Sequence, residues 1–520
     1  MKNAIKRINP LWVLALSCMG GVVVMTLVVM VQSLDNYFVS DDWVFLYQVS
    51  TVHTASQLLG LFTFDTDWFV RPTQWFTTWI LFHTFGLNPI PFHLTSVGLN
   101  AANSVLVGVF VYRLYKMIDQ NRGRIAILLS LLVSVLFLTN WRHHEAVFWW
   151  SSINELLAAF FRLGGLILAT VWMASQGGRR EILYVLSLVT FILALLSKES
   201  AVVFPLELIL VLVFVESARQ RLNWQRTVWL MCATIPFLAV ALIWGGLYIS
   251  TARSAPSMGV QRAGLGLLHA TPTEWFFRFV QFANSNLMGT AFLSRSTALM
   301  FVEVIIFVLL VLAALTRRRL MWIFALSWTL VSVAPYVAIT SNSAVSLQLP
   351  VLALGVAGDR FLYFSSVPVS LLLMVSAQWF LEEVGKLATP CWMQMSILGV
   401  VCALTVFVAA NSMRLLASER DWAVSSDIVK GILHQIDNIV PNLGTGDLLC
   451  LSNLPDNYRG KYVFRNGIAS AVYLYRGQSG FRVRATVEPA SRFEVSTVLD
   501  KTGCTIVLLY DNANRVLQVD

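Results

Sequence analysis

Long apolar stretches separated by short polar ones run along most of the chain. They fall at Leu11–Gln32, His93–Tyr115, Ile125–Thr139, Leu156–Ala174, Ile182–Leu196 and Val202–Val215, then at Val228–Ile249, Thr297–Leu315, Met321–Ile339, Phe364–Leu381 and Met395–Ala410. A helix that crosses a bilayer needs about 20 predominantly apolar residues, and several of these runs reach that length or come close to it. The pattern predicts an all-α polytopic membrane protein of about eleven transmembrane helices. The run from Trp75 to Phe85 is shorter, about 11 residues, and reads as a helix lying along the interface rather than crossing it.

The polar gaps carry their positive charge in alternate positions. Lys2, Lys6 and Arg7 come first, then Lys116, Arg122 and Arg124, then Arg179 and Arg180. Arg219, Arg221 and Arg226 follow, then Arg317, Arg318 and Arg319, and finally Lys386. Cytoplasmic loops are enriched in Lys and Arg, so these gaps are assigned to the cytoplasmic face together with the N-terminus. The other face then receives a first loop over residues 33–92, the segments Trp141–Glu145 and Ser197–Ser200, the stretch Ser250–Ser296, the loop around Asp359-Arg360, and everything after Asn411. The first apolar run is longer than a signal-peptide core and lacks a small-residue cleavage pattern, so it reads as a retained anchor.

After residue 412 the texture changes. Charges of both signs appear, with short apolar runs at Asp447–Leu451 and Thr505–Tyr510, and Asp427–Ile439 has helical periodicity stopped by Pro441-Asn442. The expectation is a transmembrane domain over residues 1–412 and a small extracytoplasmic α/β or α+β soluble domain over 413–520. A Cys450–Cys504 disulfide is permitted outside the cytoplasm. Two buried free thiols on neighbouring strands are the alternative.

Composition agrees with the pattern. Of 520 residues, 57% are hydrophobic and 12% charged, about half the charge of a soluble domain. The net charge of +9 lies in short clusters between apolar runs. No basic stretch interleaved with aromatics marks a nucleic-acid groove, so no nucleic-acid partner is expected. No cysteine spacing resembles a zinc site or a redox pair.

The unusual polar groups fall on the face opposite the basic clusters. Asp41-Asp42 follows the first apolar run, and carboxylates held near a bilayer are costly unless paired or used. One could take a proton from an acceptor while its neighbour orients the acceptor or helps bind a divalent cation. The plainer reading is a solvated helix cap. Arg71-Pro72 is a cation at headgroup depth or a snorkelling side chain. His143, His144 and Glu145 precede Trp149-Trp150 and suit substrate hydrogen bonding and interface anchoring better than a metal, because adjacent histidines point to different helix faces. Glu155 and Arg162 are seven apart and so share a helical face. Lys198-Glu199 offers a phosphate ligand as a point charge, or a local ion pair. Arg360 suits bidentate phosphate contact, or a pairing with Asp359, and Tyr363 stands at the interface. No metal or other cofactor is required by these residues, and a divalent cation is the one allowed.

Taken together, Arg71-Pro72, Phe85-Gly86-Leu87-Asn88-Pro89, Phe92-His93-Leu94, Asn100 and Asn103, His144-Glu145-Ala146-Val147 with Trp150, Ser197-Lys198-Glu199 with Pro205, and Asp359-Arg360-Phe361-Leu362-Tyr363 resemble the motifs of GT-C fold membrane glycosyltransferases. The branch they look like is the protein O-mannosyltransferase-like one, closest to the tetratricopeptide-bearing O-mannosyltransferases. The resemblance covers about residues 30 to 425, including Arg420-Asp421-Trp422. It implies sugar transfer from a polyprenyl-phosphate donor to a protein, lipid or glycan acceptor, with inversion. It also implies an outer-loop carboxylate as base, which maps to Asp41 or Asp42, and basic residues on the lipid phosphate, which map to Lys198 and Arg360. The tetratricopeptide array is missing, and Asn100 stands where similar chains carry a histidine. A bacterial inner membrane, with the tail periplasmic, is the expected location. The competing classes are a transporter or flippase of lipid-linked sugars, which would place its site near the midplane on broken helices, and a non-catalytic membrane scaffold.

Overall fold

The computed structural model describes residues 10–61, 70–118, 123–219, 222–254, 320–337, 358–387, 389–477, 480–487 and 501–519. The helices in order are α1 (Pro10–Gln32), α2 (Asp41–Ser50), α3 (Ala55–Gly60), α4 (Pro72–Phe85), α5 (Pro89–Ile118), α6 (Gly123–Leu138), α7 (His144–Phe148), α8 (Ile153–Ala174), α9 (Gly178–Leu195) and α10 (Phe204–Ala218). They continue with α11 (Trp224–Ser254), α12 (Leu320–Val337), α13 (Ser366–Leu387), α14 (Pro390–Ile439) and α15 (Ile468–Arg476). The apolar run Thr297–Leu315 lies outside the described residues; each of the others lies mainly on one of these helices in its described part.

Among the described residues, six helices are long and apolar enough to cross a membrane: Pro89–Ile118, Trp150–Ala174, Glu199–Ala218, Trp224–Tyr248, Ser366–Lys386 and Trp392–Ile439. The pair Ile125–Leu138 and Trp141–Phe148, bent by 52° at a short break, makes a seventh if it counts as one span. Six or seven of the expected eleven are thus seen among the described residues, which do not include the run Thr297–Leu315. Two others fall short of the length or composition of a span: α9 opens on Arg179, Arg180 and Glu181, and the apolar part of α12 stops at Tyr336. The short helix α4 starts with Pro72 at its first position, where a missing N–H costs nothing. It buries Gln74, Trp75 and Thr78 and leaves Phe76, Ile80 and Phe85 exposed.

The amphipathic helix expected at Asp427–Ile439 is not separate. It is the end of α14, which runs unbroken for 50 residues, about 75 Å at 1.5 Å per residue and well beyond a hydrocarbon core of about 30 Å. No proline interrupts it after Pro390, so the ladder of backbone hydrogen bonds continues past the apolar part. Its far end, through Val429, Ile432, Leu433 and Ile436, is buried in the core that the tail shares with the bundle.

The tail holds a four-stranded sheet of β1 (Leu448–Leu454), β4 (Arg482–Val487), β5 (Ile506–Asp511) and β6 (Val516–Val519), in the order β4-β1-β5-β6. A two-residue hairpin of β2 (Asn457–Tyr458) and β3 (Lys461–Tyr462) sits apart from it. Strand β1 pairs in parallel with β4 and β5, while β6 runs antiparallel to β5. The continuous buried run Leu448–Leu451 suits a central strand covered on both faces. Cys450 and Cys504 form a disulfide, with Cα atoms 5.9 Å apart.

Candidate active site at one end of the bundle

The first loop, the bend before α8, the turn between α9 and α10, the turn before α13 and the tail hairpin meet at one end of the bundle. Asp42 is buried and accepts from the Ser151 N–H at 2.7 Å, the Ser151 hydroxyl at 2.5 Å and the Val39 N–H at 3.0 Å. Burial pushes its carboxyl up to about 7, against the pull of those three donors, with Asp41 adding to the rise. Asp41 is only partly buried and accepts one bond from Asn466 Nδ2 at 2.7 Å. The two neighbours thus differ: Asp42 fastens the loop to Ser151, and Asp41 faces the tail. Ser40, just before them, sits at φ 49°, a conformation that costs a non-glycine residue about 1–3 kcal/mol. Its N–H is held by the Val463 carbonyl at 2.8 Å. Gly467, at φ +86°, approaches so closely that a Cβ there would stand 2.5 Å from the Ser40 carbonyl oxygen.

Neighbours in sequence are not partners in space. Lys198 pairs with Glu155 at 2.5 Å, and Glu199 with Arg71 at 2.7 Å. Arg360 pairs with Glu145, and Asp359 with Arg142. The local pairings Lys198–Glu199 and Asp359–Arg360 do not form, because in an extended or 3-10 turn adjacent side chains diverge; Lys198 has φ −158°, and Glu199 opens the next turn. Glu155 and Arg162, on one face of α8, also take different partners, since Arg162 pairs with Glu207 at 2.5 Å. Gly358 makes the Arg360 turn possible. At φ +90° it leaves room where a Cβ would come within 2.8 Å of Arg360 Nη1.

Two of these cations meet at Phe361. Lys198 Nζ stands 5.1 Å and the Arg360 guanidinium 4.5 Å from the centre of its ring. A hydrogen-bonded path joins Lys198 to Asp42. Lys198 Nζ donates to Asn154 Oδ1 at 3.4 Å, Asn154 Nδ2 donates to the Ser151 carbonyl at 3.1 Å, and Ser151 donates to Asp42. Gln74 braces the path through the Ser151 carbonyl and Asn154. Burial lowers the Lys198 ammonium, although Glu155 pulls it back up. For Asp359, burial raises the carboxyl, but Arg142 and His144 outweigh it and hold it below the usual carboxylate range.

His143 and Tyr363 stand apart from this group. Tyr363 is fully buried; its hydroxyl donates to Asn100 Oδ1 at 2.8 Å and accepts from Asn103 Nδ2 at 3.1 Å. Asn100 therefore holds a tyrosine. His143 packs 4.4 Å from the Tyr363 ring, and its Nε2 meets the Ser366 hydroxyl at 2.8 Å. His144 belongs to the site. Trp422 Nε1, which can only donate, lies 3.1 Å from His144 Nδ1. Nδ1 must therefore accept, the proton sits on Nε2, and that N–H donates to Asp359 Oδ2 at 3.0 Å.

The tail supplies residues that sequence reading did not reach. The Tyr462 hydroxyl donates to Glu145 Oε1 at 3.0 Å and accepts from Arg360 Nη1 at 3.2 Å, while its ring packs 4.5 Å from that of Trp149. Lys461 Nζ lies 5.8 Å over Trp422 and 3.2 Å from His144 Nε2. Burial lowers this ammonium, against the pull of Asp359, Glu145 and Asp421. Asn466 reaches Asp41. The hairpin residues carry no motif, and the only sequence signal was a cluster of Lys, Tyr, Arg and Asn in a short polar stretch. Among the described residues, no group of three or more His, Cys, Asp or Glu is placed to hold a metal ion.

No family model and no curated protein matches the chain. Among solved structures, it is similar to ArnT from Cupriavidus metallidurans in the apo state, at 14% identity over 95% of this chain and 92% of that one, with a TM-score of 0.44. It is also similar to the same protein bound to undecaprenyl phosphate, at 15% identity over 89% and 85%, with a TM-score of 0.37.

Proposed function

We propose that this chain is an integral-membrane glycosyltransferase of the GT-C type that moves a sugar from a polyprenyl-phosphate donor to a protein, lipid or glycan acceptor. The observation that carries the reading is the convergence on Phe361. Lys198 and Arg360, from turns about 160 residues apart in sequence, both lie against one ring at the end of apolar helices, and a hydrogen-bonded path ties Lys198 to the Asp41–Asp42 turn. A polyprenyl phosphate is an anionic leaving group at headgroup depth, and preorganised cations there lower the barrier to its departure.

In this reading the acceptor hydroxyl or amine attacks the anomeric carbon as the bond from that carbon to the phosphate oxygen breaks. The electron pair leaves with the polyprenyl phosphate, and the sugar inverts. Asp41, the less enclosed carboxylate, takes the acceptor's proton. Asp42 positions the turn by its bonds to Ser151. The motifs favour the O-mannosyltransferase-like branch, and the alternating basic loops favour an orientation with the tail on the extracytoplasmic face.

Mass analysis of cell-envelope glycans tests the reading. A deletion strain should lose a glycosylated product, the intact gene should restore it, and Asp41→Asn at equal expression should not. Restoration by Asp41→Asn would remove the proposed base.

A further inference from the structure

Four cations at this end of the bundle have a carboxylate each: Arg71 with Glu199, Lys198 with Glu155, Arg142 with Asp359 and Arg360 with Glu145. Lys461 differs. No carboxylate lies within 4 Å of its ammonium among the described residues. The imidazole beside it offers no acceptor either, since the His144 Nδ1 lone pair already receives Trp422 and the Nε2 proton goes to Asp359. An ammonium has three N–H donors and no acceptor of its own. Two more donors nearby are orphaned. Arg142 Nε and Trp149 Nε1 are buried without a hydrogen-bond partner, in residues 8% and 5% exposed. Trp149 stacks on Trp422, ring centres 6.4 Å apart, and Trp422 lies under Lys461. Arg142 is linked to the same place through Asp359 and His144. The local carboxylates are engaged elsewhere: Asp359 serves Arg142 and His144, and Glu145 serves Arg360 and Tyr462.

Buried donors in surplus, around an ammonium that no carboxylate approaches within 4 Å, call for an anionic acceptor. We propose that Lys461, with Arg142 and Trp149, seats a phosphate group, so that the tail hairpin contributes directly to substrate binding. This rests on the glycosyltransferase reading in taking the polyprenyl-phosphate donor as the source of that phosphate, with Lys461, whose neighbour Tyr462 bonds Arg360, adding to the paired cations of that site. Aromatic walls and limited exposure favour a phosphate delivered on a lipid over one arriving from water.

The test uses the full-length protein in nanodiscs with three probes: undecaprenyl phosphate, undecaprenol and inorganic phosphate. The intact protein should bind undecaprenyl phosphate more tightly than undecaprenol. Lys461→Met should weaken the phosphate lipid about tenfold, the order expected for losing a charge-assisted hydrogen bond. It should leave undecaprenol unchanged, and Lys461→Arg should restore most of the loss. Equal undecaprenyl phosphate binding by Lys461→Met and the intact protein would overturn the Lys461 seat and leave the donor reading standing. An intact protein that does not distinguish the phosphate lipid from the alcohol would overturn the donor reading itself. In that case, thermal stabilisation by inorganic phosphate that disappears in Lys461→Met would still support the seat, with free phosphate as its ligand. If Lys461→Met is poorly folded, Lys461→Gln, which keeps length and polarity, carries the same comparison.

Discussion

Two regions of this molecule bury charge in different ways. Inside the bundle, Arg162 and Glu207 have side chains 1% and 0% exposed. Glu207 takes two bonds from the guanidinium, a third from Trp328 at 3.2 Å and a fourth from Ser332 at 3.0 Å. The Arg162 guanidinium lies 3.4 Å from the centre of the Phe364 ring. The charges there are equal and the acceptor is saturated, so nothing remains to recognise a ligand. At the end of the bundle the pairs are also close, yet their side chains are up to 21% exposed, and donors remain over. Burial of charge does not by itself mark a site; an unbalanced count of donors and acceptors does.

The sharpest way to break this contrast is Glu207→Ala. It strands a buried guanidinium, which costs about 3–5 kcal/mol, and should appear as a large fall in thermal unfolding midpoint and loss of monodisperse protein. Replacing both partners, Arg162→Met with Glu207→Met, should recover most of the loss, since a buried pair exchanged for apolar groups is often neutral. A Glu207→Ala protein as stable as the original would erase the distinction. At the other region, Arg360→Ala should disturb binding more than folding. The Michaelis constant for the lipid-linked donor should rise about 10- to 100-fold, from the loss of one or two charge-assisted hydrogen bonds, while that for the acceptor changes little. Donor and acceptor titrations in a transfer assay check this, and an unchanged donor constant would remove Arg360 from the phosphate.

How much of this was legible beforehand follows from the range of the interactions. Apolar periodicity is local, so the helices and the apolar strands β1 and β5 could be placed from sequence. Asp359-Arg360 and Lys198-Glu199 could be singled out because charge next to long apolar runs is conspicuous. Their partners could not be found, since Glu145 lies 215 residues from Arg360 and Arg71 lies 128 from Glu199. The eye pairs neighbours, whereas the turns point them apart. Tyr363 looked like an interfacial contact, but Asn100 and Asn103 hold it within the bundle. Lys461 and Tyr462 were invisible because their role exists only once α14 carries the tail back onto the first loop.

A gentler perturbation uses pH. The Asp42 carboxyl sits at about 7 in the folded chain, above its ordinary 3.8, because burial disfavours its ionised form. The folded state therefore holds this proton more tightly than the unfolded one. The resulting penalty is fully present above pH 7 and is relieved as pH falls from 7 towards 4. The unfolding midpoint should contain a component that rises between pH 8 and pH 5. Asp42→Asn should flatten that component, whatever it does to stability at any single pH. An unchanged slope in Asp42→Asn would mean the carboxyl is ionised throughout, held by Ser151 and Val39.

The smallest effect is expected from a pair chemically identical to one in the site. Lys386 and Glu383 meet at 2.9 Å, one turn apart on α13, with side chains 62% and 28% exposed; Lys198 and Glu155 meet at 2.5 Å with side chains 2% and 1% exposed. In water the first pair exchanges solvent for a weak Coulomb gain, so Lys386→Ala should shift stability by less than about 0.5 kcal/mol and leave donor binding unchanged. Lys198→Ala, by contrast, leaves Glu155 buried with the Tyr336 hydroxyl, at 3.1 Å, as its donor among the described residues, and should cost several times more. Thermal unfolding of the two variants side by side measures what enclosure adds to one and the same ion pair. Equal shifts would mean that water reaches Lys198 as freely as it reaches Lys386, and the site at the end of the bundle would then lack the dry surroundings that make its charges effective on a leaving phosphate.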